Sequence, residues 1–360
     1  MRVAMIAAGP EILGGHAVQV RALIEGLRAD GCDADFLPIN PRFPAALRGL
    51  RRVRYLRTAV NEVLFLNSLG RLRRADVVHI FSAAYWSFVL FPVPAILAAR
   101  VLGRRVVLHY HTGEAADHLG RWGLLVHPWL RLVDEIVVPS AYLREIFGGY
   151  GYAARVIPNV VDPRRFAYRE RRPLRPALLS TRNLEPHYAV DNTLRAFARL
   201  RARCPGATLT VAGSGSEEPR LRALARSLGL ADVRFIGRVE PEEMPAVCSE
   251  ADIFVNSSVV DNQPLSVLEA FATGLPVVST PTGGIGTLVR DGETGLLVPQ
   301  GDPEAMAAAV ADLLADEDRA LRMARRARHE VEQYTWPHVR GAWAKVYAGR
   351  AGAVEAAAVS

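Results

Sequence analysis

Two carboxylates, Asp261 and Glu269, stand eight positions apart in VVDNQPLSVLEAFATGLPVVSTPTGG (259–284), with Pro264 between them. Such a pair could act as acid and base, or each could accept hydrogen bonds from hydroxyls of one bound molecule. Pro264 suits the first turn of a helix that Leu265, Val267, Leu268, Ala270 and Phe271 continue. That leaves Asp261 in the preceding loop with Asn262 and Gln263, and places Glu269 about one turn into the helix. The two side chains are therefore not a matched couple on one face. Each is expected to hold a different part of a ligand, while the helix N-terminus attracts phosphate.

Other residue types support a site for a phosphorylated ligand. Arg182 lies at the carboxyl end of the expected strand ALLSTR (177–182) and could clamp a phosphate through paired N–H donors. Gly213 and Gly215 in VAGSGSEEPRL (211–221) form a strand–Gly–helix turn, as do Gly14 and Gly15 in PEILGGHAVQV (10–20). Both turns suit close approach of backbone to a ligand. The Gly14–Gly15 loop does not read G-x-G-x-x-G, so a dinucleotide fingerprint is absent there. His109 and His111 in HYHTGEAADH (109–118) fall on one face of a strand end. His109 reads as structural, whereas His111, beside Thr112 and Gly113, is placed to meet a ligand. No carboxylate-and-histidine set completes a metal site. Asp33 and Asp35 resemble an Asp-x-Asp metal motif but stand where a second strand begins, at the wrong end of a parallel sheet, and read as structural.

The elements that would position these residues alternate along the chain. Strands are expected at 2–7, 77–81, 105–111 and 135–140, and again at 177–182, 208–213, 233–237, 252–257 and 276–280. Helix-length segments such as 17–30 separate them, the grammar of parallel sheets covered by helices. VDPRRFAYRERRPLRP (161–176) has no apolar period and reads as a linker between two doubly wound domains. Ligands are expected at the carboxyl ends of the strands, in a cleft between the domains.

Composition narrows the classes. Of 360 residues half are hydrophobic and 22% charged, a folded profile, and the net charge of +7 rests on arginine, Lys345 being the one lysine. Nine arginines and a single acid, Glu62, lie between Arg42 and Arg74, interleaved with Tyr55, Leu56, Val63, Leu64, Phe65 and Leu66. A basic amphipathic stretch of this kind fits an anionic membrane surface or a solvated helical face. No nucleic-acid motif accompanies it, and aromatics make up only 8%, so nucleic-acid binding is not expected. The cysteines Cys32, Cys204 and Cys248 are few and far apart, which points to a reducing compartment. The apolar run 83–103 carries Pro92 and Pro94 and reads as a buried helix rather than a membrane span. A cytoplasmic protein is expected, peripheral at most to the inner membrane face.

The chain resembles retaining glycosyltransferases of the GT-B type, family 4, over nearly its full length. The resemblance rests on the Gly14–Gly15 loop, His111–Thr112, VIPNVVD (156–162), VRFIGRVEPEEMPAVCSEADIFVNSS (233–258) and above all PLSVLEAFATGLPVVSTPTGGIGTLVRDGETGLLV (264–298). It implies an acceptor domain over 1–165, a donor domain over 173–335 and a final helix, 336–350, crossing back to the first. Donor-binding residues would be Gly14, Gly15, Gly213, Gly215, Arg238, Asn262, Gln263, Pro264, Leu265 and Glu269. Glu269 would meet the ribose, and the amides from Gln263 to Ser266 the diphosphate. Arg182, Asp261 and His111 would be the catalytic set. The resemblance implies no metal and no cofactor, the nucleoside diphosphate sugar being the co-substrate, and a glycan, lipid-linked or small-molecule acceptor.

Two departures stand out. Asp261 replaces the usual Glu. Tyr188 stands where the family has a second phosphate-binding cation, Pro-Glu-Lys-Gly becoming Pro186-His187-Tyr188-Ala189. An uncompensated lost cation is worth on the order of 10²–10³ in rate. A catalytically impaired nucleotide- or glycan-binding subunit, or another two-domain enzyme such as a nucleotide-sugar epimerase, are the alternatives.

Overall fold

The computed structural model describes residues 1–9, 14–44, 53–82 and 84–349. The chain divides into two compact units: Met1–Pro139 with Leu143–Pro158 and the segment from Trp336 onward, and Ser140–Tyr142 with Asn159–Thr335.

The first unit is built on β1 (Arg2–Ala7), β2 (Asp33–Pro38), β3 (Val77–Ser82), β4 (Arg105–Tyr110), β5 (Glu135–Val138) and β6 (Ala154–Val156). They pair in parallel in the order β2-β1-β3-β4-β5-β6. The central strands bury nearly every side chain, as a parallel sheet covered on both faces requires, whereas the edge strand β2 buries only Ala34 and Leu37. Asp33 and Asp35 begin that edge strand and pair with Arg2 and Arg71, which bears out their structural reading. The helix Trp336–Ala348 belongs to this unit, with Trp343 and Tyr347 buried against His79.

The second unit contains β7 (Ala177–Thr181), β8 (Thr208–Ala212), β9 (Val233–Gly237), β10 (Ile253–Asn256), β11 (Val277–Ser279) and β12 (Leu296–Leu297). Its order is β12-β11-β10-β7-β8-β9, again parallel. Starting from β7, the chain winds out through β8 and β9, then returns to β10 and winds the other way. The order reverses between β7 and β10, and in such sheets that switch point opens a crevice at the carboxyl ends.

All nine strands expected from sequence are present, with ends shifted by a residue or so. Two expectations are corrected. Residues 84–103 do not form one buried helix. Pro92 cannot donate the backbone N–H that a continuous helix needs, so Trp86–Leu90 and Pro92–Val101 are separate helices, with Trp86 and Val101 exposed. The charged stretch 161–176 is no free linker either. Buried Arg171 donates to the carbonyls of Arg169 (2.6 Å), Cys248 (3.2 Å), Ala251 (3.3 Å) and Thr273, closing the ends of helices Met244–Glu250 and Leu265–Thr273. Arg169 and Arg175 both hold the fully buried Asp252 carboxylate, at 2.7 and 2.8 Å. Burial pushes that carboxyl up, but hydrogen bonds from Arg175 and Arg169 outweigh burial and keep it below its usual range. The sequence showed the charges; only the fold turns them inward.

Candidate active site

Arg182 is the first residue beyond β7, and the loop after β10 carries Asp261, so the switch point brings the two together. The Arg182 guanidinium is buried. Nη1 donates to Ser266 Oγ at 2.9 Å, Nη2 pairs with Asp261 Oδ2, and the Tyr188 ring lies under Cζ at 4.1 Å. Its Nε is buried with no hydrogen-bond partner among the described residues. A cation so held has one nitrogen without any partner, the arrangement expected of a group awaiting an anion.

Helix Leu265–Thr273 starts at the same place. Pro264 is its N-cap rather than part of its first turn, and no side chain caps it. The first amides of the helix therefore lack intrahelical acceptors, which makes this end able to take an anion. Glu269 lies one turn on. Burial raises its carboxyl to about 7, against a smaller opposing pull from Arg165 and Arg182.

The remaining loop residues are fixed by local bonds. Asp261 Oδ1 accepts the Asn262 N–H at 2.9 Å, and Asn262 accepts from the Ser140 hydroxyl. Gln263 is occupied on both sides by Asn159: Oε1 accepts its N–H at 2.6 Å and the carbonyl accepts its Nδ2 at 2.8 Å. Gly213 and Gly215 answer first to packing. A Cβ on them would fall 2.1 Å from the Arg182 carbonyl and 2.3 Å from that of Leu184, so they let the β8 loop lie against the β7 loop that carries Arg182. Arg238 follows Gly237, whose carbonyl accepts the Gly213 N–H at 2.7 Å. It lies beyond edge strand β9, exposed and paired with Glu240 at 3.3 Å.

Sequence reasoning missed part of the wall. After β11, Gly283 adopts φ 54°, and a Cβ on Gly283 or Gly284 would fall 2.0 or 2.4 Å from the Asp261 or Asn262 carbonyl. Thr282 Oγ1 donates to the Ser258 carbonyl at 2.6 Å. The signal was available, since Gly283–Gly284 follows a strand just as Gly14–Gly15 does. Ser266 as a partner of Arg182, and the Arg182–Asp261 pairing itself, left no such signal.

In the first unit Gly14 caps helix Gly15–Ala29 after β1, and a Cβ there would meet nothing within 4 Å. His111 follows β4 and is buried, its ring stacked on Phe81 at 5.3 Å and within 4.0 Å of His109. Exposed His16 sits edge-on to it at 4.8 Å. Burial first, and then the neighbouring histidines His16 and His79, hold the His111 ring well below its usual value, so it is neutral near pH 7. Behind it, His109 Nδ1 meets His79 Nε2 at 3.2 Å and His79 Nδ1 meets the Tyr347 hydroxyl at 2.8 Å. No group of three or more His, Cys, Asp or Glu among the described residues could hold a metal ion.

Comparison with known proteins bears on this geometry. Residues 13–165 match the family described as Glycosyltransferase Family 4, and residues 166–330 match Glycosyl transferases group 1. The chain is 36% identical over 303 residues to a glycogen synthase of Mycobacterium tuberculosis, covering 79% of this chain and 72% of that one. The chain is a family 4 glycosyltransferase of the GT-B fold. That membership sets the epimerase reading aside. This glycosyltransferase is also 34% identical over 283 residues to a GDP-mannose-dependent alpha-(1-6)-phosphatidylinositol monomannoside mannosyltransferase of Mycolicibacterium smegmatis, covering 71% of this chain and 72% of that one. Among solved structures, its fold matches Anabaena Alr3699/HepE in complex with UDP-glucose, with TM-score 0.77, 16% identity, and 97% and 99% of the two chains covered. It also matches a sucrose-phosphate synthase from Thermosynechococcus elongatus, with TM-score 0.79, 20% identity, and 96% and 98% covered.

Proposed function

We propose that this glycosyltransferase transfers a sugar from a nucleoside diphosphate sugar to an acceptor hydroxyl with retention of anomeric configuration. The observation that carries the reading is the buried Arg182, with an unpartnered Nε, beside the uncapped N-terminus of helix Leu265–Thr273 at the switch point of the second sheet. Arg182 and the Leu265 and Ser266 amides take the diphosphate, Glu269 accepts from the ribose hydroxyls, and Asp261 accepts from sugar hydroxyls.

In the chemical step the bond from the anomeric carbon to the diphosphate oxygen breaks, and the bond to the acceptor oxygen forms on the same face. The departing phosphate oxygen takes the acceptor proton. The protein contributes oriented donors to the developing diphosphate charge, so no side-chain nucleophile is required. Tyr188 seated under Arg182 supports an active centre over a binding-only subunit, because it gives the missing cation's position a role at the same guanidinium.

A lipid-linked or glycan acceptor fits the surface of the first unit. Helix Arg54–Ser68 exposes Tyr55 and Val63, and the following turn carries Arg71, Arg73 and Arg74. Arg48, Arg51 and Arg52 lie outside the described residues. Apolar side chains beside arginines suit an anionic bilayer surface, and one relative's name specifies a phosphatidylinositol monomannoside. No helix among the described residues is long and apolar enough to cross a membrane.

The test is product analysis. The chain is incubated with UDP-glucose, ADP-glucose and GDP-mannose, and the released or transferred sugar is read by NMR at its anomeric proton. Retention in the wild type, with turnover lost in Arg182→Ala, is expected. An inverted product, or full turnover without Arg182, would refute the proposal.

A further inference from the structure

Tyr188 occupies the position at which the sequence lacks a second cation, and the structure gives the ring a definite task. It lies 4.1 Å beneath the Arg182 Cζ and is partly buried against the core of the second unit. The segment that delivers it is pinned to the loop that follows β10. The His187 carbonyl accepts from Val259 N at 2.9 Å and Val260 N at 3.2 Å, and the Ser257 hydroxyl bridges the carbonyls of Tyr188 (3.3 Å) and Ala189 (2.7 Å). Val260 directly precedes Asp261, so one short frame fixes both the ring and the carboxylate that hold Arg182.

The backbone is strained at the same turn. Ala189 adopts φ 46° and ψ 41°, the left-handed region that an alanine occupies at a cost. The turn is thus held by its surroundings rather than by its own preference.

The chemistry follows from the geometry. Within a ligand-free site Asp261 neutralises Arg182, and a diphosphate must compete for the same guanidinium. Once the carboxylate is displaced, Ser266 Oγ and the Tyr188 face remain to fix the plane of the fork. A planar guanidinium stacks on an aromatic face and still presents its edge donors to phosphate, which a lysine ammonium does not do.

We propose that Tyr188 is a positioning residue: its ring holds the Arg182 guanidinium in the plane from which it meets the donor diphosphate, replacing a second charge by orientation of the first. This rests on the reading that Arg182 binds the diphosphate.

The experiment measures affinity for UDP, GDP and ADP, and for uridine, guanosine and adenosine, by calorimetry on the full chain. Tyr188→Phe keeps the face and is expected to match the wild type. Tyr188→Leu, with Tyr188→Met in parallel in case one fails to fold, removes it. Both should weaken the tightest-binding diphosphate about tenfold, equivalent to about 1.4 kcal/mol, and leave its nucleoside unchanged. In an Arg182→Ala background the same substitutions should have no further effect on the diphosphate.

A purely structural role would weaken nucleoside and diphosphate together, and that outcome overturns the inference. Diphosphate affinity unchanged in Tyr188→Leu and Tyr188→Met but lost in Arg182→Ala overturns it while leaving the diphosphate role of Arg182 intact. Unchanged affinity in Arg182→Ala overturns both.

Discussion

Replacing Asp261 by Asn removes one charge from the Arg182 pair while leaving an acceptor for the Asn262 N–H. The two side chains are only 9% and 12% exposed, so solvent screens them little. At an effective dielectric constant of about 20, charges about 4 Å apart attract by about 4 kcal/mol, much of it offset by the cost of desolvating both. A net loss of about 1–2 kcal/mol is the reasonable expectation, and it acts in two directions. The free chain should become less stable, because Arg182 keeps Ser266 and Tyr188 but loses its counter-charge. The nucleoside diphosphate, no longer competing with a carboxylate, should bind about tenfold more tightly at about 1.4 kcal/mol per decade. Sugar transfer should nonetheless fall, since Asp261 is also the proposed acceptor for donor hydroxyls. Calorimetry with UDP, GDP and ADP, paired with turnover of the matching sugar nucleotide, reads both effects. Diphosphate affinity that is unchanged or weakened in Asp261→Asn would refute the idea that the carboxylate and the diphosphate share Arg182.

Two further predictions follow from particular residues. Ala189 holds φ 46°, so Ala189→Gly should relieve left-handed strain that exceeds the added entropy of the unfolded glycine, stabilising the second unit by about 0.5–1 kcal/mol; a lower melting temperature would contradict this. Glu269, raised to about 7 by burial, should ionise near neutrality, so a ribose that donates to the carboxylate should bind better as pH rises through that value. The native state holds this proton more tightly than the unfolded chain, so the group favours folding at low pH and loses that contribution as pH rises from about 4.5 through about 7. Glu269→Gln should flatten both dependences, and an unaltered pH profile of nucleotide affinity would count against the ribose role.

The fold was readable because parallel strands announce themselves. Val77–Ser82 and Ile253–Asn256 are continuous apolar-rich runs bounded by helices, and their burial matches that pattern. The switch point followed once strand order was known, since Arg182 and Asp261 each stand just beyond a strand. What the sequence concealed depends on contacts between distant segments. Nothing local tells that Arg171 turns inward to close two helices, or that Gly213 serves the backbone of Arg182 before any ligand. Arg238, inside a matching motif, stands just beyond β9 with its side chain exposed and paired with Glu240, a pairing that the motif does not foretell. Tyr188 read as a loss in one dimension. In three it is a face under a guanidinium.

Arg182 is proposed to make the second unit a nucleoside diphosphate sugar site. The most direct test is the thermal stability of the wild type and of Arg182→Ala against UDP, GDP, ADP and their glucose and mannose conjugates. At a hundred times its dissociation constant a true ligand stabilises the native state by about 2.7 kcal/mol. A clear rise in melting temperature with one base is expected in the wild type, largely abolished by Arg182→Ala. No rise with any nucleotide, or an equal rise in the variant, would contradict that role of Arg182.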